Sequence, residues 1–348
     1  MDNVKQNISE NAPKVKKETK NKIRVEFDRT SGWKRFKLKY LQTNFVVSVI
    51  WKIARFLLLL GISYVILMPF FTKISSSFMS AQDFGDVTVK LVPRYPTLDT
   101  YKSIIKDNGY FEALFNTTLL SLMAAILQTF VCALIGYGFA KFKFKGNKLL
   151  FVFVILTMVV PHKTLQFAMF MKFTYFDFLG IFNPFRIMEF IPTVNMTNTF
   201  LPLAILSATG LGFKNGLYIF MLRQYFKGVP DELEESAYVD GSGVFRTFVQ
   251  IILPLSIPML ITVFMFAFSW QWTDNFYTDL FYTTSGPTLM TDIVAIPKTL
   301  DTSFAGGSMY STAITNTCGM LIIAPLILIY VFAQKYIIQG IERSGITG

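Results

Sequence analysis

Residues 234–245, EESAYVDGSGVF, form a short polar stretch between two long apolar segments. Pro230 and Asp231, just before it, are typical of a helix start, where the acids that follow are stabilised by the positive end of the helix dipole. Gly241 and Gly243 end that helix and permit a sharp turn. The pattern predicts a short acidic surface helix, which is either an ordinary solvated helix or a docking helix that enters a groove on a partner protein.

A second group of polar residues lies within or at the ends of apolar segments. Lys214, in GLGFKNG, sits where a charge is costly and normally faces a bundle interior or an aqueous cavity. It either lines a solute pathway with Asn215, or marks a helix break and snorkels or pairs with an acid. Four further side chains are either solute contacts or interface anchors: Gln271, Trp272, Asn275 and Asn316.

The same segments offer no pattern that is typical of catalysis. They contain no acid pair, metal cluster or Ser/His arrangement. The chain also has no G-x-x-x-x-G-K-[ST] motif that would cradle a phosphate. We therefore expect a non-catalytic chain without a metal or a cofactor of its own.

Composition places the chain in a membrane. Of its 348 residues 52% are hydrophobic and 16% charged, which is more apolar than a soluble domain usually is. Small residues at spacing four in GYGFA, 136–140, allow a close helix approach. About twenty apolar residues cross a bilayer as a helix, so the prediction is an all-α polytopic protein with six transmembrane helices, at 53–71, 115–139, 149–171, 199–222, 249–271 and 311–333.

The distribution of charge predicts the orientation. Residues 1–52 hold 13 Lys/Arg and 5 Asp/Glu, so 13 − 5 = +8 of the net +11 lies there. We interpret this as a basic cytoplasmic arm attracted to anionic lipid rather than to nucleic acid. The loop 140–148 has four lysines and no acid, which the positive-inside rule places in the cytoplasm. Both termini and the loop 223–248 are then cytoplasmic, and 53–348 is the six-span domain.

The segment EESAYVDGSGVFRTFVQIILPLSIP, 234–258, resembles the EAA signature of permease subunits of binding-protein-dependent ABC importers. The family pattern is E-A-A-x-x-D-G-A followed by an apolar stretch that ends in proline. Ser236 and Ser242 stand where the family has alanine, and serine is also a small residue. The matching positions are Glu235, Ser236, Ala237, Asp240, Gly241, Ser242 and Pro254.

The resemblance covers about residues 50–348 and favours the carbohydrate branch, the maltose-type permeases. WQWTDN departs from the tryptophan-asparagine pair that the family commonly has after the fifth span, and the basic arm lies outside the resemblance. The segments that carry it are PTLDTYKSI, FNTTLLSLMAA, GYGFAKFKFKG, YIFMLRQYF, FSWQWTDNFY and FAQKYIIQGIERSGITG.

The resemblance implies a MetI-like fold of the type I importers, located in a bacterial inner membrane. It implies that 223–248 is the coupling loop, whose helix enters a cleft of an ATPase. Glu235 would meet a basic ATPase residue and Gly241 would make the turn. The implied coupling residues are Glu234, Glu235, Ser236, Ala237, Asp240, Gly241 and Ser242.

The resemblance also implies an assembly. Its members would be two ATPase subunits that bind ATP and Mg, a second and different permease, an external solute-binding protein, membrane lipid and a sugar. In maltose-type importers the sugar contacts come largely from the other permease. Two alternatives remain: a permease of the same superfamily for another polar solute, and an ion-coupled secondary transporter, which would require paired intramembrane acids or inverted repeats.

Overall fold

The structure is a computed structural model that describes most of the chain. The chain divides into two compact units, Met1–Phe71 and Thr72–Gly348. Side chains are described from residue 47 to residue 340 within the described ranges. Apart from two short strands in the N-terminal arm, the described residues are 43–177, 193–212, 214–282 and 286–345.

The first unit contains a strand pair and most of one long helix. Strand β1 (Val15–Lys17) pairs antiparallel with β2 (Ile23–Val25), and this pair departs from the purely helical prediction. Helix α1 (Thr43–Ser77) then begins, and its apolar side chains are exposed along its length. An exposed apolar surface on a helix this long is typical of a segment surrounded by lipid.

The second unit is helical, which confirms the prediction of a mostly helical chain. A 3₁₀ turn, His162–Leu165, and a π-helical turn, Phe248–Ile252, lie between its helices. The helices are α2 (Ala81–Gly85), α3 (Asp99–Asp107), α4 (Tyr110–Lys141), α5 (Asn147–Val159), α6 (Gln166–Thr174), α7 (Leu201–Ala208), α8 (Asn215–Lys227), α9 (Glu232–Val239), α10 (Val244–Thr247), α11 (Leu253–Leu255), α12 (Ile257–Trp272), α13 (Phe276–Phe281) and α14 (Gly307–Gly345).

The six predicted spans are not confirmed. Among the described residues, three helices are long and apolar enough to cross a membrane: Val47–Ser77, Tyr110–Lys141 and Gly307–Gly340. Two bent pairs raise the number to five at most. Asn147–Val159 and His162–Thr174 meet at 94°, and Val244–Leu255 and Ile257–Trp272 meet at 80°.

Prolines account for both bends. Val160 is extended, with ψ 121°, because the ring of Pro161 disfavours helical conformation in the residue before it. At the second bend, Ser256 leaves the helical region between Pro254 and Pro258, and its hydroxyl donates to the backbone oxygen of Ile252 at 2.7 Å. Such breaks are tolerated in membrane proteins where side chains satisfy the freed backbone groups.

The fourth predicted segment, 199–222, is broken rather than continuous. Helix α7 ends at Ala208, and Gly210 and Lys214 both adopt left-handed conformations, with φ 76° and 65°. The backbone N–H of Leu211 donates to the oxygen of Leu206 at 3.0 Å, which closes the turn. A hydropathy count treats 199–222 as one continuous helix, whereas these backbone conformations divide it into two helices.

Helix α4 is the centre of the second unit and packs against α7, α8 and α12. At Gly136 an added Cβ would lie 3.0 Å from the Cβ of Leu222 and 3.1 Å from the backbone nitrogen of Arg223. The small residues of GYGFA thus permit the close helix approach that their spacing predicts. Large buried side chains complete this core: Tyr137, Tyr218, Phe226, Phe248, Phe268 and Trp272.

Candidate functional sites

The docking helix, defined as α9 (Glu232–Val239), forms where the sequence predicts a short acidic helix. The backbone oxygen of Asp231 accepts the N–H groups of Glu234 and Glu235 at 3.0 Å each, so Asp231 begins the first turn. Glu232, Glu234 and Glu235 lie in that turn. Their negative charges are stabilised by the partial positive charge of the helix N-terminus.

Gly241 ends the docking helix with a left-handed conformation, φ 81°. Its N–H donates to the oxygen of Tyr238 at 3.0 Å, and the N–H of Ser242 donates to the oxygen of Ala237 at 2.9 Å. This pair of bonds is a Schellman motif. A Cβ added at Gly241 would meet nothing within 4 Å, so the turn requires glycine for its backbone conformation and not for space.

The predicted coupling residues divide into an outer and an inner set. Glu234 and Ala237 are buried, each 6% exposed. Ser242 is half-buried, and its hydroxyl accepts a hydrogen bond from Thr247 at 3.0 Å, which ties the turn to α10. The outer set, available to a partner, consists of Glu235, Ser236, Asp240 and Gly241.

Apolar side chains surround these outer residues. Val239 is 87% exposed and Phe245 is 66% exposed, and Leu233 and Val244 are exposed as well. We call these four residues the docking patch. Apolar side chains grouped on the surface beside polar ones are typical of a protein contact surface.

Inner contacts fix the docking helix to α4. The Glu234 carboxylate accepts a hydrogen bond from the Tyr137 hydroxyl at 3.0 Å, and Lys141 Nζ lies 3.3 Å from its other oxygen. Lys141 also donates to Asp231 at 2.5 Å and to the backbone oxygen of Val229 at 2.7 Å. The hydrogen bond from Lys141 holds the pKa of Asp231 below its ordinary value, so Asp231 is ionised at neutral pH.

A cavity of about 640 Å³ lies beside the break between α7 and α8. Lys214 and Asn215, two of the predicted pathway residues, line it together with His162 of the first bent pair. The Lys214 ammonium lies 4.9 Å from the centre of the Trp270 ring, within cation–π range. A cavity of this size is large enough for a small-molecule ligand.

Two buried amides lie close to Gly212, which lines this cavity together with Asn215. Among the described residues, neither amide atom of Asn215 has a hydrogen-bond partner, and neither does Oε1 of Gln128. The Gln128 nitrogen donates to the Ser207 hydroxyl at 3.2 Å. A Cβ at Gly212 would lie 3.1 Å from that nitrogen and 3.2 Å from the Asn215 nitrogen. Buried polar atoms are normally hydrogen-bonded, so the amide atoms without a partner are available to bind a polar ligand.

The remaining predicted pathway residues lie elsewhere. Trp272 is 2% exposed and donates its indole N–H to the oxygen of Ile322 at 3.0 Å. Gln271 is buried beside it, and Asn275 is exposed at the start of α13. Asn316 lines a different cavity, of about 700 Å³, with Thr72 and Met309. The structure therefore brings together Lys214 and Asn215 but not the other four.

Four residues of these sites are not predicted from the sequence. Gln128 and Ser207 supply the amide and hydroxyl beside Asn215, and Tyr137 and Lys141 hold Glu234. A polar side chain inside the apolar run AILQTF is a signal that points to Gln128. Lys141 counts in the sequence only as one of four loop lysines, because its partner lies about ninety residues away.

The long apolar helices and the two bent pairs define a mostly helical, multi-pass membrane protein. The chain belongs to the family of binding-protein-dependent transport system inner membrane components, whose family model matches residues 132–343. The matched region includes the docking helix and all the residues that line the cavity beside the helix break.

Two curated relatives align with this chain over nearly their whole length. The arabinooligosaccharides transport system permease protein AraQ of Bacillus subtilis (strain 168) is 28% identical over 308 residues, 86% of this chain and 97% of the relative. The maltodextrin transport system permease protein MalD of Streptococcus pneumoniae is 25% identical over 296 residues, 84% of this chain and 94% of the relative.

A solved structure shares the fold. It is a bacterial ABC transporter involved in the import of the acidic polysaccharide alginate, and one of its chains aligns with a TM-score of 0.62 at 19% identity. The alignment covers 83% of this chain and 97% of that chain. At this level of identity the likeness is one of fold, and it agrees with the predicted mostly helical fold.

Proposed function

We propose that the chain is the non-catalytic transmembrane permease subunit of an ATP-driven, binding-protein-dependent sugar importer in a bacterial inner membrane. One observation carries the proposal: within the family-matched region, the docking helix and the start of α10 present Glu235 and the apolar docking patch outward. A protruding helix of mixed acidic and apolar character fits a groove on another protein, which is how a chain without a phosphate-binding motif would respond to ATP.

The proposed assembly contains a second, different permease, two ATPase subunits that bind ATP and Mg, and an external solute-binding protein. Both termini and the docking helix face the cytoplasm, with the basic arm near anionic lipid. Closure of the ATPases on ATP moves the docking helices and shifts the permease between inward-facing and outward-facing states. Each ligand acts only through its differential affinity for those two states.

The proposed cargo is a sugar or an oligosaccharide. The names of AraQ and MalD support this choice, since both are saccharide permeases by name. The amide of Asn215, which lines the cavity, supports it chemically, because an amide both donates and accepts hydrogen bonds and so matches a hydroxyl group. A permease for another polar solute is the second candidate, and an uptake panel of sugars, amino acids and phosphate esters separates the two.

The cavity can be tested without knowing the sugar. Since the Asn215 amide has no partner among the described residues, Asn215→Ala is expected to leave thermal stability unchanged while raising KM for uptake. Gln271→Ala, a buried amide away from the cavity, is the matched control and is expected to leave KM unchanged. An unaltered KM in Asn215→Ala would remove Asn215 from the solute path.

Docking can be tested by crosslinking in membranes. Both native cysteines, Cys132 and Cys318, are buried, so a single exposed cysteine can be probed against a low background. Val239→Cys in the docking patch is expected to crosslink to the ATPase subunit. Val92→Cys, 75% exposed in the loop 72–114 that the predicted orientation places outside, is the control and is expected not to crosslink. Labelling of Val239→Cys from outside intact cells would overturn the proposed topology and docking role.

A further inference from the structure

The last residue of α4, Lys141, is surrounded by oxygen atoms from the segment that leads into the docking helix. Its ammonium contacts the backbone oxygen of Val229, a carboxylate oxygen of Asp231 and a carboxylate oxygen of Glu234, at 2.7, 2.5 and 3.3 Å. Its side chain is only 7% exposed. A single lysine at the end of α4 therefore contacts this segment at three positions.

Tyr137, one turn earlier on α4, completes the arrangement. Its hydroxyl donates to the second oxygen of Glu234 at 3.0 Å. Its ring packs 4.6 Å from that of Phe248 and 5.8 Å from that of Phe226. Tyr137 thus joins Glu234 to the helices on both sides of the docking helix. We call Tyr137, Lys141 and Glu234 the anchor cluster.

The burial of each partner indicates which of these contacts contributes most to holding the docking helix against α4. Asp231 is 79% exposed, and exposed ion pairs contribute little because water competes for both charges. The Glu234 side chain is 8% exposed, like that of Lys141. Separating a buried pair leaves an uncompensated charge in a poorly solvated site, which is strongly unfavourable. The Lys141–Glu234 pair therefore resists any motion that draws the docking helix away from α4.

We infer that the anchor cluster is the mechanical link through which displacement of the docking helix moves α4, and that Lys141, Glu234 and Tyr137 are positioning residues for transport. The inference rests on the proposed function, in which an ATPase moves the docking helix. It assigns different roles to the two neighbouring acids, because Glu235 is exposed whereas Glu234 is buried against α4. Loss of the link disconnects ATP hydrolysis from transport without removing the docking surface.

The test measures solute transported per ATP hydrolysed by the complete complex in proteoliposomes. Lys141→Met is expected to lower this ratio by at least about fivefold, the lower end of typical coupling between sites. Lys141→Arg keeps the charge and is expected to retain most of the ratio. Lys143→Met changes an exposed lysine two residues away and is the matched control, with an unchanged ratio expected.

The charge-swapped double variant, Lys141→Glu with Glu234→Lys, restores an ion pair of reversed polarity and so separates loss of the link from loss of folding. It is expected to recover transport per ATP relative to Glu234→Lys alone. An unchanged ratio in Lys141→Met, or no recovery in the swapped variant, would overturn the inference if Val239→Cys still crosslinks to the ATPase. Absence of that crosslink in the otherwise native chain would instead overturn the proposed function.

Discussion

The indole N–H of Trp272 donates a hydrogen bond to the backbone oxygen of Ile322 across 3.0 Å. The bond joins the end of α12 to the middle of α14, and the indole also packs 5.4 Å from the ring of Phe268. Trp272 is 2% exposed. In this arrangement it is a packing residue between two helices, and its polar atom is already satisfied.

Substitution of Trp272 is expected to change stability rather than solute preference. Trp272→Phe loses one buried hydrogen bond, roughly 1 kcal/mol, and Trp272→Ala also leaves a cavity, roughly 3–5 kcal/mol in total. Thermal unfolding of the purified complex measures the effect. Trp270→Phe, at a 46% exposed position, serves as the comparison and is expected to lose less. Altered sugar selectivity with an unchanged Tm would contradict this assignment.

Gly306 is expected to tolerate no side chain. It has φ 99°, and a Cβ there would collide with the backbone oxygen of Phe84 in α2. Gly306→Ala should therefore destabilise the protein by roughly 1–3 kcal/mol. Gly319, inside α14, has nothing within 4 Å of the position that a Cβ would take, so Gly319→Ala should stabilise it by up to about 1 kcal/mol. Opposite shifts in Tm are the expected result, and equal shifts would refute it.

Substitutions at Gly241 should rank by their tolerance of a left-handed backbone. Asn adopts this conformation more readily than other non-glycine residues, whereas a β-branched residue does so rarely. Gly241→Asn is thus expected to retain most uptake, Gly241→Val to lose most of it, and Gly241→Asp, which adds charge to the outer surface, to uncouple transport. Uptake in vesicles with matched protein levels measures the series. Wild-type uptake by Gly241→Val would show that the Schellman turn is dispensable.

The contribution of Asp107 is expected to depend on pH. Its carboxylate accepts hydrogen bonds from the backbone N–H and the hydroxyl of Thr299, at 3.1 and 2.6 Å. The hydroxyl bond is the main cause that lowers the pKa of Asp107 below 3.8. A lowered pKa in the folded state means that the stabilisation is present above 3.8 and is lost as pH falls through the native value.

Asp107→Asn mimics the protonated carboxyl and tests this dependence. The variant is expected to melt below the wild type at neutral pH, and the difference should shrink as the pH falls from 3.8 through the lower native pKa of Asp107, below which both side chains are neutral. Melting temperatures of both proteins from acidic to neutral pH provide the measurement. A difference that does not vary with pH would exclude an ionic contribution from Asp107.

Long apolar runs predict the long helices well. The runs 115–139 and 311–333 lie within α4 and α14, which extend further at both ends. Hydropathy counts residues but does not describe backbone conformation, so it does not reveal the 94° bend near Pro161 or the division of 199–222 at Gly210 and Lys214. The local signals were present as proline and glycine, yet membrane helices often tolerate both residues without a break.

The docking helix follows from local chemistry, since the acids after Pro230 and the glycine at 241 determine its ends. Which of its acids faces inward depends instead on distant partners. Glu234 and Glu235 are adjacent and identical in type, and the positions of Lys141 and Tyr137 on another helix distinguish them. The pair of amides near Gly212 also depends on distant partners, because Gln128 and Asn215 come close together only when α4 packs beside the helix break.

Helix α4 has 32 residues, which at 1.5 Å per residue gives a rod of roughly 48 Å, longer than the hydrocarbon layer it would cross. Near its first turns, Asn116 donates to the backbone oxygen of Thr288 and Thr117 accepts the N–H of Met290. Helix α4 therefore contacts the loop at 288–290 near its first turns and the first turn of the docking helix at its last turn. A tilt of α4 at one end would therefore displace its other end, so under the proposed function one helix would respond both to the solute and to the ATPase.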